Sequence, residues 1–366
     1  MKSLFTAVFL FTLTTLSAQP APSPSAENIF IITTDGFRWQ EVFTGADSAI
    51  LFNTAYVKDS STVADLYWAP TAEERRRKLL PFLWNYVAKK GQLWGNRKYE
   101  NNVSVSNPYR FSYAGYNELL TGFADPAIMR NRPKQNPNTN LLTFLNATER
   151  YKQRVAAFGS WKLFSFILNN ARSGLPVNCG YEPVYADSLS ISEQTVNYLQ
   201  ETISAKQEPT RMDILTYTLA NDYIRKNHPR IVYLALGETD EFAHHSRYDK
   251  YLGAANQFDR IVADLWQLVQ EDDFYKNKTA FFITTDHGRG QSAGQWNVHG
   301  PFTKGSDETW FVQLGPGIQR LGEVKLKTEI YAEQLAQTIA SYLGEQFTAA
   351  HPVAEPAYSV LPARNH

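Results

Sequence analysis

Three short stretches of the chain are continuously apolar, and polar residues bound each of them. They cover Ile29–Ile32, Ile231–Leu236 and Ala280–Ile283. A run of this length without alternation is typical of a strand that is buried on both faces, as in a parallel sheet covered by helices. Helical spacing of apolar residues follows at Tyr251–Gln270 and at Ala332–Tyr342. Strands that alternate with helices predict an α/β fold, a layered α/β/α sandwich around a central, mostly parallel sheet.

The N-terminus has a different pattern. Lys2 precedes the mostly apolar stretch Leu4–Leu16, and small residues and a Pro/Ser-rich spacer follow it. This order is typical of a secretory signal peptide with cleavage after Ala18, and the apolar stretch is too short for a comfortable membrane span. We therefore expect a periplasmic or secreted protein without a stable membrane anchor. The predicted organisation is a signal peptide at 1–18, a spacer at 19–26, a single domain at 27–350 and an extended, polar C-terminal tail at 351–366.

Charge and cysteine content exclude some classes of protein. The 36 basic and 36 acidic side chains give a formal net charge of zero, so there is no electrostatic reason to expect a nucleic-acid partner. The single cysteine, Cys179, excludes an internal disulfide, and the fold must therefore depend on its core. Residues 131–140, which are rich in Asn and Pro, are predicted to form a surface loop. The sequence leaves the oligomeric state open.

An aspartate follows each of the three predicted strands. Asp35, Asp240 and Asp286 stand within a few residues of the ends of the first, second and third apolar run. In open α/β sheets, ligands bind beyond the carboxyl ends of the strands. One such aspartate is usually a helix cap or a turn residue, but three of them indicate a functional site.

Histidine is concentrated at the same strand ends. Four of the seven histidines are found there: His244, His245, His287 and His299. Asp240 and His244 are four residues apart, which places both on one face of a helical turn, where they can hold one cation. His245 is a rival to His244, and the four-residue spacing favours His244. Carboxylates and imidazoles in this number predict a metal site, with zinc as the expected ion.

Together these motifs resemble those of the alkaline phosphatase superfamily, and most of all its nucleotide pyrophosphatase/phosphodiesterase branch. The resemblance rests on Asp35-Gly36, Asp240-x-x-x-His244, Asp286-His287-Gly288 and His299-Gly300. It implies an alkaline-phosphatase-like fold for the predicted domain, and a nucleophilic Thr or Ser about nine residues before a Thr-Gly pair. Ser112 stands nine residues before Thr121-Gly122. The resemblance therefore implies that Ser112 is the catalytic nucleophile.

The resemblance further implies a hydrolase of small-molecule phosphoric esters that uses two Zn²⁺ ions. The implied ligands of one ion are Asp240, His244 and His299. The implied ligands of the other are Asp35, Ser112, Asp286 and His287. In such a site the Ser112 hydroxyl loses its proton near neutral pH and attacks phosphorus in line, and water later hydrolyses the phosphoserine.

A phosphate-binding asparagine is also implied. In the phosphodiesterase branch it lies roughly eleven residues past the Thr-Gly pair, and Asn131 lies nine past Gly122. Asn136 and Asn138 are rivals. Any of the three could instead be a turn residue of a polar loop.

Basic residues near the motifs bear on the type of ester. Lys162 resembles the lysine of a periplasmic monoesterase branch, although Phe164 stands where that branch has arginine. Arg38, Arg110 and Arg289 are further candidates. A monoester presents one more charged oxygen than a diester, and a cation beyond the metals suits it. The sequence thus slightly favours monoesters, with a phosphodiesterase or nucleotide pyrophosphatase as the alternative.

Other functions are weighed against these motifs. The segment after Ser112 lacks the Cys/Ser-x-Pro-x-Arg context of sulfatases, and the chain lacks room for the inserted domain of the related phosphoglycerate mutases. A phosphate-transferring mutase, or a secreted protein that binds metal without turnover, stays as an alternative, although a structural site needs only four ligands. Aromatic residues near the motifs could line a substrate pocket or belong to the core: Trp39, Phe111, Tyr113, Tyr116 and Trp296.

Overall fold

The computed structural model describes residues 26–203 and 210–361. The predicted signal peptide (1–18), residues 19–25 of the predicted spacer and the last five residues of the predicted tail lie outside the described residues. Among the helices of the two described ranges, none has the length and apolar character needed to cross a membrane.

The described residues form strands and helices in alternation. The strands are β1 (Asn28–Thr34), β2 (Gln92–Trp94), β3 (Asn101–Ser104), β4 (Val155–Gly159), β5 (Val177–Cys179), β6 (Ile231–Leu236), β7 (Thr279–Thr284), β8 (Glu308–Thr309), β9 (Phe311–Leu314), β10 (Gly322–Glu323) and β11 (Thr328–Tyr331). The α-helices are α1 (Trp39–Thr44), α2 (Ser48–Leu51), α3 (Ser60–Tyr67), α4 (Ala72–Leu79), α5 (Ala88–Lys90), α6 (Ser112–Thr121), α7 (Leu141–Ala147), α8 (Phe164–Ile167), α9 (Asn170–Ser173), α10 (Ile191–Thr202), α11 (Asp213–Asn227), α12 (Glu238–His244), α13 (Tyr248–Glu271) and α14 (Gln334–Tyr342). A π-helical turn covers Leu83–Val87, and 3₁₀ turns cover Arg97–Tyr99 and Tyr358–Val360.

Most of the strands build one mixed sheet with the order β10-β2-β9-β7-β1-β6-β4-β5. The strands from β7 to β5 are parallel to one another, whereas β9 runs antiparallel to both of its neighbours. The three strands predicted from sequence are β1, β6 and β7, and they are neighbours at the centre. A small second sheet has the order β11-β3-β8. The predicted α/β fold with a central, mostly parallel sheet is confirmed.

Side chains of β1 alternate between two hydrophobic cores, one on each face of the sheet. Phe30 and Ile32 belong to a core that includes α13, while Ile29 and Ile31 belong to a core that includes α6 and α14. Because helices cover both faces, every residue of β1 is buried, which explains why the strand appears in the sequence as an unbroken apolar run. The predicted helices are observed with slightly different ends, as α13 and α14.

The Asn/Pro-rich segment 131–140 contains no helix or strand, but it is only partly a surface loop. Residues 131–135 are exposed, whereas the side chains of Asn136 and Asn138 are buried. Both amide groups donate to Asn117 Oδ1, each at 3.1 Å. These two asparagines therefore attach the loop to α6, since a buried amide needs hydrogen-bond partners.

The C-terminal segment also differs from the expected extended, polar tail. Ala354 N donates to the carbonyl oxygen of Gly122 at 2.9 Å, and the ring of His351 stacks on Phe123. Val360 is buried in the second core. The segment thus packs first against the end of α6 and then against α14, where Tyr342 donates to the carbonyl oxygen of Val360 at 3.0 Å.

Candidate active site

Short loops at the carboxyl ends of β1, β6 and β7 bring three aspartates together. The hydroxyl of Thr239 donates to the carbonyl oxygen of Asp35 at 2.5 Å, and Gly36 N donates to Asp286 Oδ1 at 3.0 Å. Asp35 and Asp286 are buried, and Asp240 is partly buried. Because the three strands are adjacent and parallel, the aspartates that follow them meet at one edge of the sheet.

The ring of His287 lies in the middle of these carboxylates. Its Nε2 atom is 3.3 Å from Asp35 Oδ1, 3.5 Å from Asp286 Oδ2 and 3.9 Å from Asp240 Oδ1. Its Nδ1 atom lies 2.9 Å from the carbonyl oxygen of Gly288. A carbonyl oxygen can only accept, so Nδ1 carries a proton, and Nε2 is the ring atom that faces the carboxylates.

His299 and His244 extend this group toward solvent. His299 Nε2 lies 3.2 Å from His244 Nε2, which in turn lies 3.1 Å from Asp240 Oδ2. The ring of His245 instead turns its Nδ1 toward the carbonyl oxygen of Glu241, at 3.0 Å. Of the two adjacent histidines, His244 is therefore the one that faces the group.

The potential ligand atoms form two overlapping groups, and within each group they lie within 4.8 Å of one another. One group is Asp35, Asp286 and His287, and the other is Asp240, His287 and His299. The first agrees with a ligand set implied by the resemblance. In the second, His287 stands where His244 was expected, while His244 contacts Asp240 through Oδ2. Two such clusters side by side are consistent with a binuclear metal site.

Ser112 is the first residue of α6 and faces the same group. Its Oγ donates to Asp35 Oδ1 at 3.4 Å and lies 3.3 Å from His287 Nε2. The residue is only 4% exposed. The free N–H groups and the dipole at the start of a helix favour negative charge. The hydroxyl thus lies in contact with both a carboxylate and an imidazole of this cluster. We call the cluster the Asp/His group; its members are Asp35, Asp240, Asp286, His244, His287 and His299.

Gly115 allows α6 to pack directly against the end of β7. A Cβ at this position would lie 2.3 Å from the backbone oxygen of Asp286, so the backbone would have to move. We expect Gly115→Ala to lower the free energy of unfolding by about 1–3 kcal/mol and to impair any reaction at Ser112, which lies on the same helix.

Gly253 of α13 provides a matched control. A Cβ there meets no described heavy atom within 4 Å, and Gly253→Ala should stabilise the protein by roughly 0.5–1 kcal/mol because alanine favours the helix. Denaturant titration measures both variants. Equal stability of the two would contradict the close packing at Gly115.

The electrostatics of the group fit a bound cation. Among the described residues, none donates a hydrogen bond to Asp286 Oδ2, although Asp286 is fully buried. Burial and the nearby Asp35 carboxylate raise the pKa of Asp286 to about 8. Burial lowers the pKa of His287, but Asp286 and Asp35 outweigh it and raise that pKa to about 9. Buried carboxylates with a free oxygen suit a divalent cation, because they need a compensating positive charge.

Gly36 keeps the space between the potential ligands open. It has a positive φ of 56° and follows Asp35 in the turn after β1. A Cβ there would lie 2.9 Å from Asp240 Oδ1 and from the His287 ring. A side chain at this position would enter the space that the ligand atoms surround. The glycine of the Asp35-Gly36 motif is thus required both by its backbone conformation and by the site.

Two arginines near the motifs do not face open space. Arg38 is fully buried, and its Nε donates to Glu41 Oε2 at 2.9 Å. Arg289 is also buried; it forms an ion pair with Asp240 and its Nε donates to the carbonyl oxygen of Gly36 at 3.0 Å. The structure therefore removes both from the set of cations that could meet a substrate, because each is enclosed by protein groups.

The other two basic candidates are accessible. Arg110 Nη1 lies 3.6 Å from Asp307 Oδ1. Lys162 is exposed and forms no ion pair within residues 26–203 and 210–361. It lines a cavity of about 720 Å³ together with Asn131. Lys162 is thus the candidate cation that is free to contact a ligand.

Asn131 lies beside the nucleophile candidate. Its Oδ1 accepts a hydrogen bond from Tyr113 N, the residue after Ser112, at 2.9 Å. The rivals Asn136 and Asn138 are buried against Asn117 and are unavailable to a substrate. Of the three asparagines, Asn131 is the one at the first turn of α6.

One contact of the Asp/His group was not predicted from the sequence. The hydroxyl of Tyr116 donates to Asp35 Oδ2 at 3.1 Å, and the residue is fully buried. Burial and the neighbouring Asp286 and Asp35 carboxylates raise the pKa of Tyr116 well above its ordinary value, so the hydroxyl stays protonated and can donate. Tyr116 stands four residues after Ser112, and this helical spacing was the only signal in the sequence.

Most of the aromatic residues near the motifs belong to the core. Trp296 and Tyr116 are fully buried, and Tyr113 is 3% exposed. Phe111 lies with its ring centroid 5.9 Å from that of His299. Burial thus excludes Trp296 and Tyr116 from a substrate pocket, whereas Phe111 contacts His299 and Tyr113 lines a neighbouring cavity.

The sequence and the fold both have known relatives. Residues 50–311 match the type I phosphodiesterase / nucleotide pyrophosphatase family. Asp35 lies before the matched range, and the sheet brings it to the site. No curated protein matches the chain significantly.

Solved structures share the fold at low sequence identity. The wild-type alkaline phosphatase PafA is 10% identical with a TM-score of 0.58, and the match covers 94% of this chain and 100% of that one. The phosphonate monoester hydrolase of Agrobacterium radiobacter is 12% identical with a TM-score of 0.56, covering 92% and 77%. The lipoteichoic acid synthase LtaP from Listeria monocytogenes is 10% identical with a TM-score of 0.56, covering 90% and 76%.

An alkaline-phosphatase-like fold with paired Asp/His clusters at its strand ends defines a phosphoesterase of the alkaline phosphatase superfamily. Within that superfamily, the chain belongs to the type I phosphodiesterase / nucleotide pyrophosphatase family, whose match spans more than half of its length.

Proposed function

We propose that this protein is a secreted or periplasmic, metal-dependent hydrolase of small-molecule phosphate esters, that it acts through a phosphoserine at Ser112, and that it prefers monoesters. The observation that carries the proposal is the contact of the Ser112 hydroxyl with Asp35 and His287, which belong to the two potential ligand groups. The location rests on the predicted signal peptide at 1–18.

The side chains present suit two zinc ions. One ion would be held by Asp240, His244 and His299, and the other by Asp35, Asp286 and His287. Imidazole nitrogen and carboxylate oxygen are both ligands that zinc accepts. When bound, such ions supply Lewis-acid stabilisation of negative charge and lower the pKa of the attacking hydroxyl.

The protein's own groups would act in sequence on the ester. Ser112 Oγ gives up its proton and forms a bond to phosphorus, while the bond to the alcohol oxygen breaks and the alcohol leaves with a proton. Water then loses a proton and attacks phosphorus from the side the alcohol has left. The bond between phosphorus and Ser112 Oγ breaks, Oγ takes up a proton, and inorganic phosphate leaves. The N-terminus of α6 favours the negative charge that develops on Ser112 and on the phosphate.

Tyr116 has a positioning role in this proposal, since it fixes one oxygen of Asp35. Removal of the hydroxyl in Tyr116→Phe should lower metal affinity or kcat roughly 10- to 100-fold, as is typical when the partner of a metal ligand is lost. Competition with a chelator of known affinity measures the metal affinity. If Tyr116 had only a structural role, its substitution would leave that affinity unchanged.

Tyr233 supplies the control for Tyr116. It is equally buried, but its hydroxyl pairs with Thr33 Oγ at 3.1 Å and not with the Asp/His group. Tyr233→Phe should leave metal affinity unchanged. If both variants behaved alike, the hydrogen bond from Tyr116 to Asp35 would have no special function.

The preference for monoesters rests on Lys162, the accessible cation of the Asn131 cavity. We expect kcat/KM for a nitrophenyl monoester to exceed that for the matching alkyl diester. Lys162→Ala should reduce the monoester value about 10- to 100-fold, as the loss of a hydrogen bond to a charged group does, and leave the diester value nearly unchanged. Lys276→Ala, at an exposed position three residues before β7, is the control for the loss of one charge.

A phosphodiesterase or nucleotide pyrophosphatase is the second candidate, and the match to a family described by those activities favours it. A monoester-to-diester ratio well below one would establish it in place of the monoesterase. Release of nitrophenol without any chelator effect would instead contradict metal dependence in both candidates.

A further inference from the structure

A small cavity with a basic rim adjoins the first turn of α6. We call it the basic-loop cavity; its volume is about 180 Å³. Its lining is formed by Tyr113, Ala127, Ile128, Met129, Arg130, Arg132, Lys134, Gln135 and Pro137. Apolar side chains, among them the buried Tyr113 and the half-buried Ile128, form one part of the lining, and three cations, which we call the rim cations, form another.

Two hydrogen bonds tie the basic-loop cavity to the residue that follows Ser112. Tyr113 lines the cavity, and its hydroxyl donates to the carbonyl oxygen of Lys134 at 2.7 Å. The backbone N–H of Tyr113 donates to Asn131 Oδ1 at 2.9 Å. Asn131 stands between Arg130 and Arg132, so the phosphate-binding candidate and the rim cations belong to one short segment. The cavity therefore adjoins the first turn of α6, the helix that Ser112 begins.

The rim cations are not neutralised by acidic residues. Arg130, Arg132 and Lys134 are exposed, and none forms an ion pair within the described parts of the chain. The sequence contains no Asp or Glu from Pro126 to Thr148. The chain as a whole has no net charge, whereas this segment carries only positive charges and creates a local positive field next to the candidate site. Such a field attracts anionic ligands and raises their local concentration.

We propose that the basic-loop cavity binds the alcohol portion of the substrate, and that this portion carries an apolar segment ending in a second anionic group, a carboxylate or a further phosphate. This inference rests on the proposed function and adds a substrate class to it. The apolar side chains of the lining remove hydrocarbon surface of a ligand from water, while the three cations attract the anion. Exposed cations that served only solubility would need no partly apolar cavity beside them.

The experiment compares two substrates that differ only in one charge. They are 4-carboxyphenyl phosphate and 4-carbamoylphenyl phosphate, whose alcohol portions have nearly the same shape. We expect the native protein to favour the carboxylate in KM by about tenfold, the size of a few partly exposed charge interactions. The triple variant Arg130→Gln, Arg132→Gln, Lys134→Gln should lose this preference and retain its activity on the carboxamide.

A second triple variant controls for the loss of three charges. Lys89→Gln, Lys152→Gln and Lys276→Gln change exposed residues; Lys152 and Lys276 precede β4 and β7 and therefore lie at the opposite edge of the sheet. This variant should keep the preference for the carboxylate. A native protein without the preference, or an equal loss in both triple variants, would overturn the inference.

Binding separates this inference from the proposed function. Calorimetry on Ser112→Ala protein measures the affinity for both compounds without turnover. Tighter binding of the carboxylate that disappears with the three rim cations supports the cavity even if native protein hydrolyses neither compound. Hydrolysis of both compounds at equal KM, with equal binding, supports the proposed function and rejects the cavity.

Discussion

The Ser112→Ala protein should fold and bind metal, yet hydrolyse phosphate esters at least about a thousandfold more slowly than the native protein, because the loss of a nucleophile removes the covalent path. Ser112 begins α6 and is almost fully buried, and alanine fits its place and favours the helix. The measurement is kcat with a nitrophenyl ester, alongside a thermal unfolding scan.

Ser112→Thr is the conservative partner of this variant, since it keeps a hydroxyl at the same position. It should retain measurable activity above that of Ser112→Ala. Retention of more than about a tenth of native activity by Ser112→Ala would show that another group is the nucleophile, because the loss of a true nucleophile costs far more.

Removal of bound metal is the second change with a large expected effect. Without cations, the carboxylates of Asp35 and Asp286 remain buried side by side, and both activity and stability should fall. A metal present at a thousandfold above its Kd contributes about 4 kcal/mol to the folded state. Dialysis against chelator should therefore abolish hydrolysis and lower Tm, and added Zn²⁺ should restore both. Full activity in protein shown by elemental analysis to be free of metal would contradict the proposal.

Two adjacent histidines test metal binding at single residues: His244 ends α12, and His245 follows it. His244 faces Asp240, whereas His245 faces Glu241. His244→Ala should lower the zinc content from about two ions per chain toward one and reduce kcat, while His245→Ala should do neither. Equal effects of the two substitutions would show that the orientation of His244 has no bearing on metal binding.

The three strands at the centre of the sheet were predictable because they are buried on both faces. Burial on both faces demands continuous apolar runs, and those runs identified β1, β6 and β7 without any partner being known. The position of Asp35, Asp240 and Asp286 at one edge then follows from parallel pairing alone. The spacing of Asp240 and His244 also sufficed to favour His244 over His245, because it depends only on one helical turn.

Contacts between distant segments were not predictable in the same way. The burial of Arg289 against Asp240 could not be predicted from a charged residue in a Gly-rich loop, because its ion pair joins residues 49 positions apart. The hydrogen bond from Arg289 Nη2 to the carbonyl oxygen of Asp240 spans the same distance along the chain. The hydrogen bond of Tyr116 to Asp35 likewise spans 81 positions. The burial of Asn136 and Asn138 depends on the packing of a loop against α6. Tertiary pairing decides each of these cases, and local patterns do not encode it.

The most direct test of the central claim is the chemical identity of the intermediate. A reaction quenched with acid during turnover of an aryl phosphate should yield a peptide that carries phosphate on Ser112, detected by mass spectrometry. The same peptide from Ser112→Ala protein should carry none. Phosphate on a different residue, or burst-free turnover in which no phosphorylated peptide forms at any time, would contradict a phosphoserine mechanism at this site.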